Sequence, residues 1–297
     1  MVIGRRSLLA GSVGAGVLML PGAAYGAPPS DTWREQLREL EQGYAGRIGM
    51  YARHMGTGRT LCYRADERFP LLSTFKVLVS AAVLDRARSC APGLVDRRIR
   101  WTEADLVDYS PVTEAHVADG LTVAQLCHAA ITRSDNTAGN LLLRQVGGPV
   151  GLTGYLRRLG DGVSRLDRWE TDLNVWAPGE RRDTTTPAAM GRDLAALTVG
   201  RALHPDDRTT LVDWMRATVT GDRRIRAGLP AGWTVGDKTG SSNDSYGAAN
   251  DVAVAHPPTG APLVLAIYTR RETQGQPYDE AIIAETARVL AGALGAR

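Results

Sequence analysis

Lysine is almost missing from this 297-residue chain: of 35 cationic side chains only Lys76 and Lys238 are lysine, and the other 33 are arginine. Where a solvated positive charge suffices, the chain uses a guanidinium, which stays protonated in proteins. An amine can lose its proton when it is buried or crowded by charge, so the two lysines are candidates for chemistry. Phenylalanine is scarce too, with two residues, and the basic residues are dispersed along the chain. That leaves no stacking platform and no cationic stripe for nucleic acid. The net charge of +3 falls to about +1 once Arg5 and Arg6 are set aside with the leader described below.

Cysteine is limited to Cys62, Cys90 and Cys127, an odd number with no C-x-x-C pair, so at least one thiol is unpaired in a monomer. The five histidines (His54, His116, His128, His204, His256) show neither H-x-H nor H-E-x-x-H spacing, and no metal or other cofactor is expected. No G-x-S-x-G follows the leader, which excludes a nucleophile-elbow esterase. Nor does the chain have an apolar run of the roughly 20 residues that a membrane span needs.

The apolar stretch it does have, Leu8 to Leu20, is short and glycine-rich. It follows Arg5-Arg6 and precedes small residues around Ala24 and Gly26. Residues 1–26 therefore read as an export signal, placing the protein in the periplasm or outside the cell, with no membrane attachment after removal. The arginine pair followed by Ser7, Leu8 and Leu9 favours the twin-arginine route.

Beyond the leader the hydrophobic period changes twice. Trp33, Leu37, Leu40 and Tyr44 predict an amphipathic helix starting near Asp31. Ile48, Met50 and Ala52 alternate ahead of a Gly56-Thr57-Gly58 turn and a second strand over 59–64, which together predict a hairpin. Helical signals dominate from Ser73 to about Met215. Strand character returns at 233–239, 251–255 and 263–269, before a closing helix with Ile283, Ala287, Leu290 and Leu294. The expected architecture is α/β and two-lobed. An antiparallel sheet built from both chain ends and flanked by terminal helices (residues 27–68 and 216–297) meets an all-α lobe (69–215), with a crevice between them for a site.

Three short motifs carry the chemistry. In Ser73-Thr74-Phe75-Lys76, spacing i to i+3 puts a hydroxyl and an amine on one helical face, at a helix start where backbone N–H groups favour a developing anion. The pattern alone is common by chance. Lys238-Thr239-Gly240 ends a predicted strand, where a lysine and a hydroxyl can hold a carboxylate and a glycine lets a ligand approach. Both rare lysines falling in such contexts makes coincidence a poor account. Ser134-Asp135-Asn136 opens a helical run and alone would be a cap.

In this order the three motifs resemble those of the penicillin-recognising serine enzymes. Glu170-Thr171-Asp172-Leu173-Asn174 looks like the E-x-x-L-N segment of the omega loop, here 165–183, which identifies the chain as similar to class A β-lactamases. The resemblance covers essentially the whole chain after the leader. It implies hydrolysis of β-lactam antibiotics through a serine ester, giving resistance, with the β-lactam and water as the only partners of a monomer. Ser73 would be the nucleophile, and Lys76, or Glu170 through a water, its base. Ser134 would relay a proton to the ring nitrogen, and Glu170 with Asn174 would direct water onto the ester. Lys238, Thr239 and Arg224 would fix the substrate carboxylate, Asn136 its side-chain amide, and the backbone N–H groups of Ser73 and Ser241 the oxyanion. Tyr109 would form an aromatic wall, and Arg168 with Asp183 would close the loop.

Some positions depart from the family. Thr171 stands where many relatives have proline. Ser80 stands opposite Cys127 where some relatives have a disulfide. Leu72 and Ser242 replace the cysteine pair of one carbapenem-hydrolysing group. The same nucleophile and lysines would also serve a D-alanyl-D-alanine carboxypeptidase, against which Glu170 argues. They would serve equally a β-lactam-binding sensor domain, which would usually sit behind membrane spans.

Overall fold

The computed structural model describes residues 1–2 and 32–295, so the expected export signal lies, but for its first two residues, outside the described residues. Helix α1 (Thr32–Tyr44) buries Trp33, Leu37 and Tyr44 along one stripe, as the heptad-like spacing requires. Strands β1 (Gly46–His54) and β2 (Thr60–Tyr63) form the expected hairpin, joined antiparallel with Met50 opposite Tyr63.

A short strand β3 (Phe69–Pro70) and a 3-10 turn, Leu72–Thr74, lead into α2 (Phe75–Ser89). Ser73 thus lies in the 3-10 turn that precedes the α-helix and not in the helix's own first turn. Every residue of α2 from Phe75 to Leu84 is buried, which makes it the central helix of the molecule. Then follow β4 (Arg98–Ile99), β5 (Leu121–Thr122), α3 (Val123–Thr132), α4 (Asn136–Val146) and α5 (Gly148–Arg158). Helix α3 opens with a capping box between Thr122 and Gln125, and α4 is capped by the Asp135 carboxylate on the Ala138 N–H. After the 165–183 loop come β6 (Thr184–Thr185), α6 (Pro187–Thr198), α7 (Pro205–Arg216) and the short α8 (Ile225–Gly228).

The last three strands are β7 (Thr234–Ser242), β8 (Ala248–His256) and β9 (Leu263–Arg271), closed by α9 (Ala281–Ala293). Each runs two to four residues beyond the span that periodicity predicts at one end or both. The added residues, such as Ser241 and Ala248, carry no alternation yet continue the ladder. The sheet order is β2-β1-β9-β8-β7, all antiparallel, so the first hairpin docks beside the final strand.

Both faces of this sheet are covered, and successive residues feed two separate cores. Ile48, Met50, Ala253, Leu265 and Ile267 face α1 and α9. Tyr51, Val252, Val254, Ala266 and Tyr268 join the helical core around α2. All three cysteines are unpaired; Cys127 is buried beside Ser80, where burial pushes its thiol up to about 12. No helix among the described residues is long and apolar enough to cross a membrane.

Candidate active site

Three segments distant in sequence converge at the N-terminal end of α2. The 3-10 turn carrying Ser73 packs against β7, and Leu72 holds a left-handed φ of 47° there. Gly240 permits the approach: a Cβ at that position would fall 2.9 Å from Leu72 Cβ and 3.2 Å from the Ser73 nitrogen. Gly139 on α4 plays the same part for Lys76, since a Cβ there would sit 3.0 Å from Lys76 Cε.

Lys76 is completely buried, and its Nζ lies 2.7 Å from Ser73 Oγ, 2.7 Å from Glu170 Oε1, 2.6 Å from Asn136 Oδ1 and 3.1 Å from the Ser134 carbonyl. An ammonium has three protons to donate and here meets four oxygens. With the amine neutral, the Ser73 hydroxyl can donate to it instead. Burial lowers the proton affinity of Lys76, and the Glu170 carboxylate beside it works in the opposite direction.

Glu170 is held at four points. Its Oε1 accepts from Lys76 and its Oε2 from Asn174 Nδ2 at 2.6 Å. Its backbone N–H and C=O are both bonded by the Asn140 side chain at 2.9 Å. The Glu170–Thr171 peptide is cis. The loop base is closed by Arg168 and buried Asp183, 2.6 Å apart, with Asp183 also accepting from the Asp167 and Arg168 N–H groups.

Across the crevice, Lys238 is likewise completely buried and donates to Ser134 Oγ at 3.0 Å and to the Thr239 carbonyl at 2.8 Å. Burial, then the neighbouring charge of Lys76, put its proton affinity well below the usual lysine range. Thr239 Oγ1 shares a hydrogen bond with Thr220 Oγ1 at 2.6 Å. Arg224 is 3% exposed, and its guanidinium is committed to the Gly240 and Asn250 carbonyls, Ser241 Oγ and Glu280. Its charge borders the cavity, where it is bonded to the Ser241 hydroxyl.

A cavity of about 400 Å³ opens onto this constellation, lined by Ser73, Ser134, Asn136, Asn174, Thr239 and Ser241, with Tyr109, 61% exposed, on the rim. All eleven residues singled out from the sequence are thus brought together: eight line the cavity, Lys76 lies behind Ser73 with Glu170 bonded to it, and Lys238 lies behind Ser134. The structure adds Asn140, which clamps the Glu170 backbone, and Tyr278 and Glu280, which line the cavity from the segment before α9. No motif marks these three. An Arg224–Glu280 pairing could have been sought only as charge complementarity across 56 residues.

A serine bonded to a buried lysine, with a second buried lysine across a polar cleft between a helical core and an antiparallel sheet, defines a penicillin-recognising serine enzyme. The comparisons with known proteins narrow the class. A family model described as the β-lactamase enzyme family matches residues 32–294. β-Lactamase AST-1 of Nocardia asteroides is 50% identical, over 98% of this chain and 96% of its own length. A β-lactamase structure from Streptosporangium roseum is 57% identical, with a TM-score of 0.89, covering 90% of this chain and all of that one. An ancestral class A β-lactamase structure is 53% identical, with a TM-score of 0.83, covering 88% and 99%. The chain belongs to the β-lactamase enzyme family, in its class A.

Proposed function

We propose that the protein opens the cyclic amide of β-lactam antibiotics through an ester on Ser73 and then hydrolyses that ester, and that the host gains resistance by it. The observation that carries this reading is the position of Lys76 Nζ, 2.7 Å from both Ser73 Oγ and Glu170 Oε1 in a fully buried setting. Burial disfavours the charged amine, so Lys76 can accept the Ser73 proton directly; Glu170 could take it through a water instead. As Ser73 Oγ attacks the lactam carbonyl, the N–H groups of Ser73 and Ser241 meet the developing oxyanion. Ser134, bonded to Lys238, passes a proton to the ring nitrogen as the amide bond breaks.

Lys238, Thr239 and, through Ser241, Arg224 receive the substrate carboxylate, while Asn136 keeps one amide proton for the substrate side chain after donating to the Asp108 carbonyl. Water directed by Glu170 and Asn174 then attacks the ester. The reading places the site between an α/β lobe (27–68 and 216–297) and a helical lobe (69–215). On this reading the substrate is a small molecule held in the cavity by Lys238, Thr239 and Asn136, and the enzyme acts as a monomer. Residues 1–26 support export, and the twin-arginine route rests on Arg5-Arg6 followed by Ser7, Leu8 and Leu9.

The test uses a chromogenic cephalosporin. The unmutated protein should turn over many equivalents, Ser73→Ala should lose on the order of 10⁴-fold or more, and Glu170→Ala should accumulate an ester visible by intact mass. A single stoichiometric burst from the unmutated protein would indicate a sensor. Cleavage of a D-Ala-D-Ala peptide without lactam hydrolysis would indicate a peptidase.

A further inference from the structure

We propose that Ser245, in the connection between β7 and β8, is a positioning residue for ester hydrolysis, acting by fixing Asn174 and through it Glu170. This rests on the function proposed above. Ser245 is completely buried, and both partners of its hydroxyl lie across a gap in the 165–183 loop. The hydroxyl accepts from the Trp176 N–H at 2.9 Å and donates to the Asn174 carbonyl. The same carbonyl also accepts from Ser242 Oγ at 3.2 Å, and Ser242 Oγ in turn accepts from the Ser245 N–H at 3.3 Å. Two serines of one turn therefore close on a single backbone oxygen.

That oxygen belongs to the residue whose side chain sets Glu170. Asn174 Nδ2 donates to Glu170 Oε2 at 2.6 Å, so the residue is gripped from the β7–β8 turn at its backbone while its side chain orients the carboxylate. A second grip is apolar: Trp176 meets Tyr246 edge-on, with ring centroids 6.5 Å apart, and also donates through Nε1 to the Glu180 carbonyl. Removing the Ser245 hydroxyl leaves this packing in place. It strips the Asn174 carbonyl of one partner and leaves the Trp176 N–H unpaired in a buried site. The disturbance falls on Asn174, whereas Ser73, Lys76 and Lys238 make no hydrogen bond to Ser245.

The affected step is the second one. Water attacks the ester carbonyl and gives a proton to Glu170, the bond to Ser73 Oγ breaks, and Ser73 recovers a proton as the opened acid leaves. This step needs the carboxylate aimed to a fraction of an ångström, and ester formation through Lys76 does not depend on the Asn174 carbonyl.

The experiment compares benzylpenicillin kinetics of the unmutated protein, Ser245→Ala and Ser242→Ala, with intact mass recorded during turnover. For Ser245→Ala, kcat should fall about tenfold and KM with it, leaving kcat/KM within about twofold, while the ester adduct accumulates. Ser242→Ala, at the longer contact, should show the same signature more weakly. Unchanged kcat in Ser245→Ala overturns the proposal. So does a fall in kcat/KM as large as that in kcat without an adduct, which would mean general loosening. If the unmutated protein forms no ester and turns nothing over, the function itself is overturned and the role of Ser245 falls with it.

Discussion

The two lysines occupy opposite walls of one crevice, and both are completely buried, yet their surroundings differ in kind. Lys76 has a carboxylate in direct contact, Glu170 at 2.7 Å. Lys238 has none: its hydrogen-bond partners are a hydroxyl and a carbonyl, and its acids, Asp237 and Asp251, act on it only through space. Burial lowers the proton affinity of both, and further for Lys238, which also feels the charge of Lys76. The difference teaches how a site can wait for an anion. On the proposed function, a substrate carboxylate beside Lys238 would supply the missing counter-charge and favour its protonated form. Its new charge then makes it easier for Lys76 to give one up. The charge of either lysine thus opposes protonation of the other.

Removing each lysine in turn breaks this comparison most directly. Lys76→Ala should lower the rate of ester formation by about 10³-fold, since it deletes the proton acceptor at Ser73. Single-turnover acylation measures it, and a loss under tenfold would leave Glu170 through water as the working base. Lys238→Ala should cost about 10–100-fold in kcat/KM, the range for a charge-assisted contact to a carboxylate, and should do so mainly by weakening binding. It should also move the pH dependence. Without the second positive charge Lys76 holds its proton more tightly, so the acid limb of acylation shifts to higher pH. A pH profile of single-turnover acylation checks the sign; a shift to lower pH would contradict the coupling.

The same contrast explains what was legible in the sequence. Lys76 and Lys238 stood out because the chain is otherwise arginine, and each sits in a short motif with a hydroxyl residue, Ser73 and Thr239; only Lys76 bonds its own motif's hydroxyl, while the hydroxyl partner of Lys238 is Ser134, far along the chain. The helices and the hairpin were legible because each buries a stripe its own period announces. Asn140, Tyr278, Glu280 and Ser245 were not, since each acts through a partner far along the chain: Asn140 on Glu170 thirty residues away, Ser245 on Asn174 seventy-one away. An asparagine inside a helix and a serine in a turn look like solvent-facing residues until the fold closes over them. The extra length of β7 and β8 was hidden for a related reason. Ser241, Ser242 and Ala248 follow no apolar alternation, because the backbone there is held by its ladder and by Arg224 from behind.

Asp237 gives the finest adjustment of the comparison. It precedes Lys238 on β7, so its side chain emerges on the opposite face of the sheet, where Arg226 Nε meets Oδ1 at 2.5 Å and Oδ2 is left without a partner. Burial pushes its carboxyl up to about 6 against the pull of Arg226. Its ionised form helps Lys238 hold a proton, and neighbouring Asp251, which titrates together with it, acts in the same direction. Asp237→Asn removes the charge at every pH. Lys238 should then be harder to protonate, and the alkaline limb of kcat/KM, which reports the unliganded enzyme, should move to lower pH by about 0.5–1 unit. The alkaline limb of kcat should move less, because in the complex the bound carboxylate supplies the counter-charge in its place. Equal displacement of the two limbs would mean that Asp237 acts on the fold as a whole, and no displacement of either would mean that Lys238 is charged before substrate arrives.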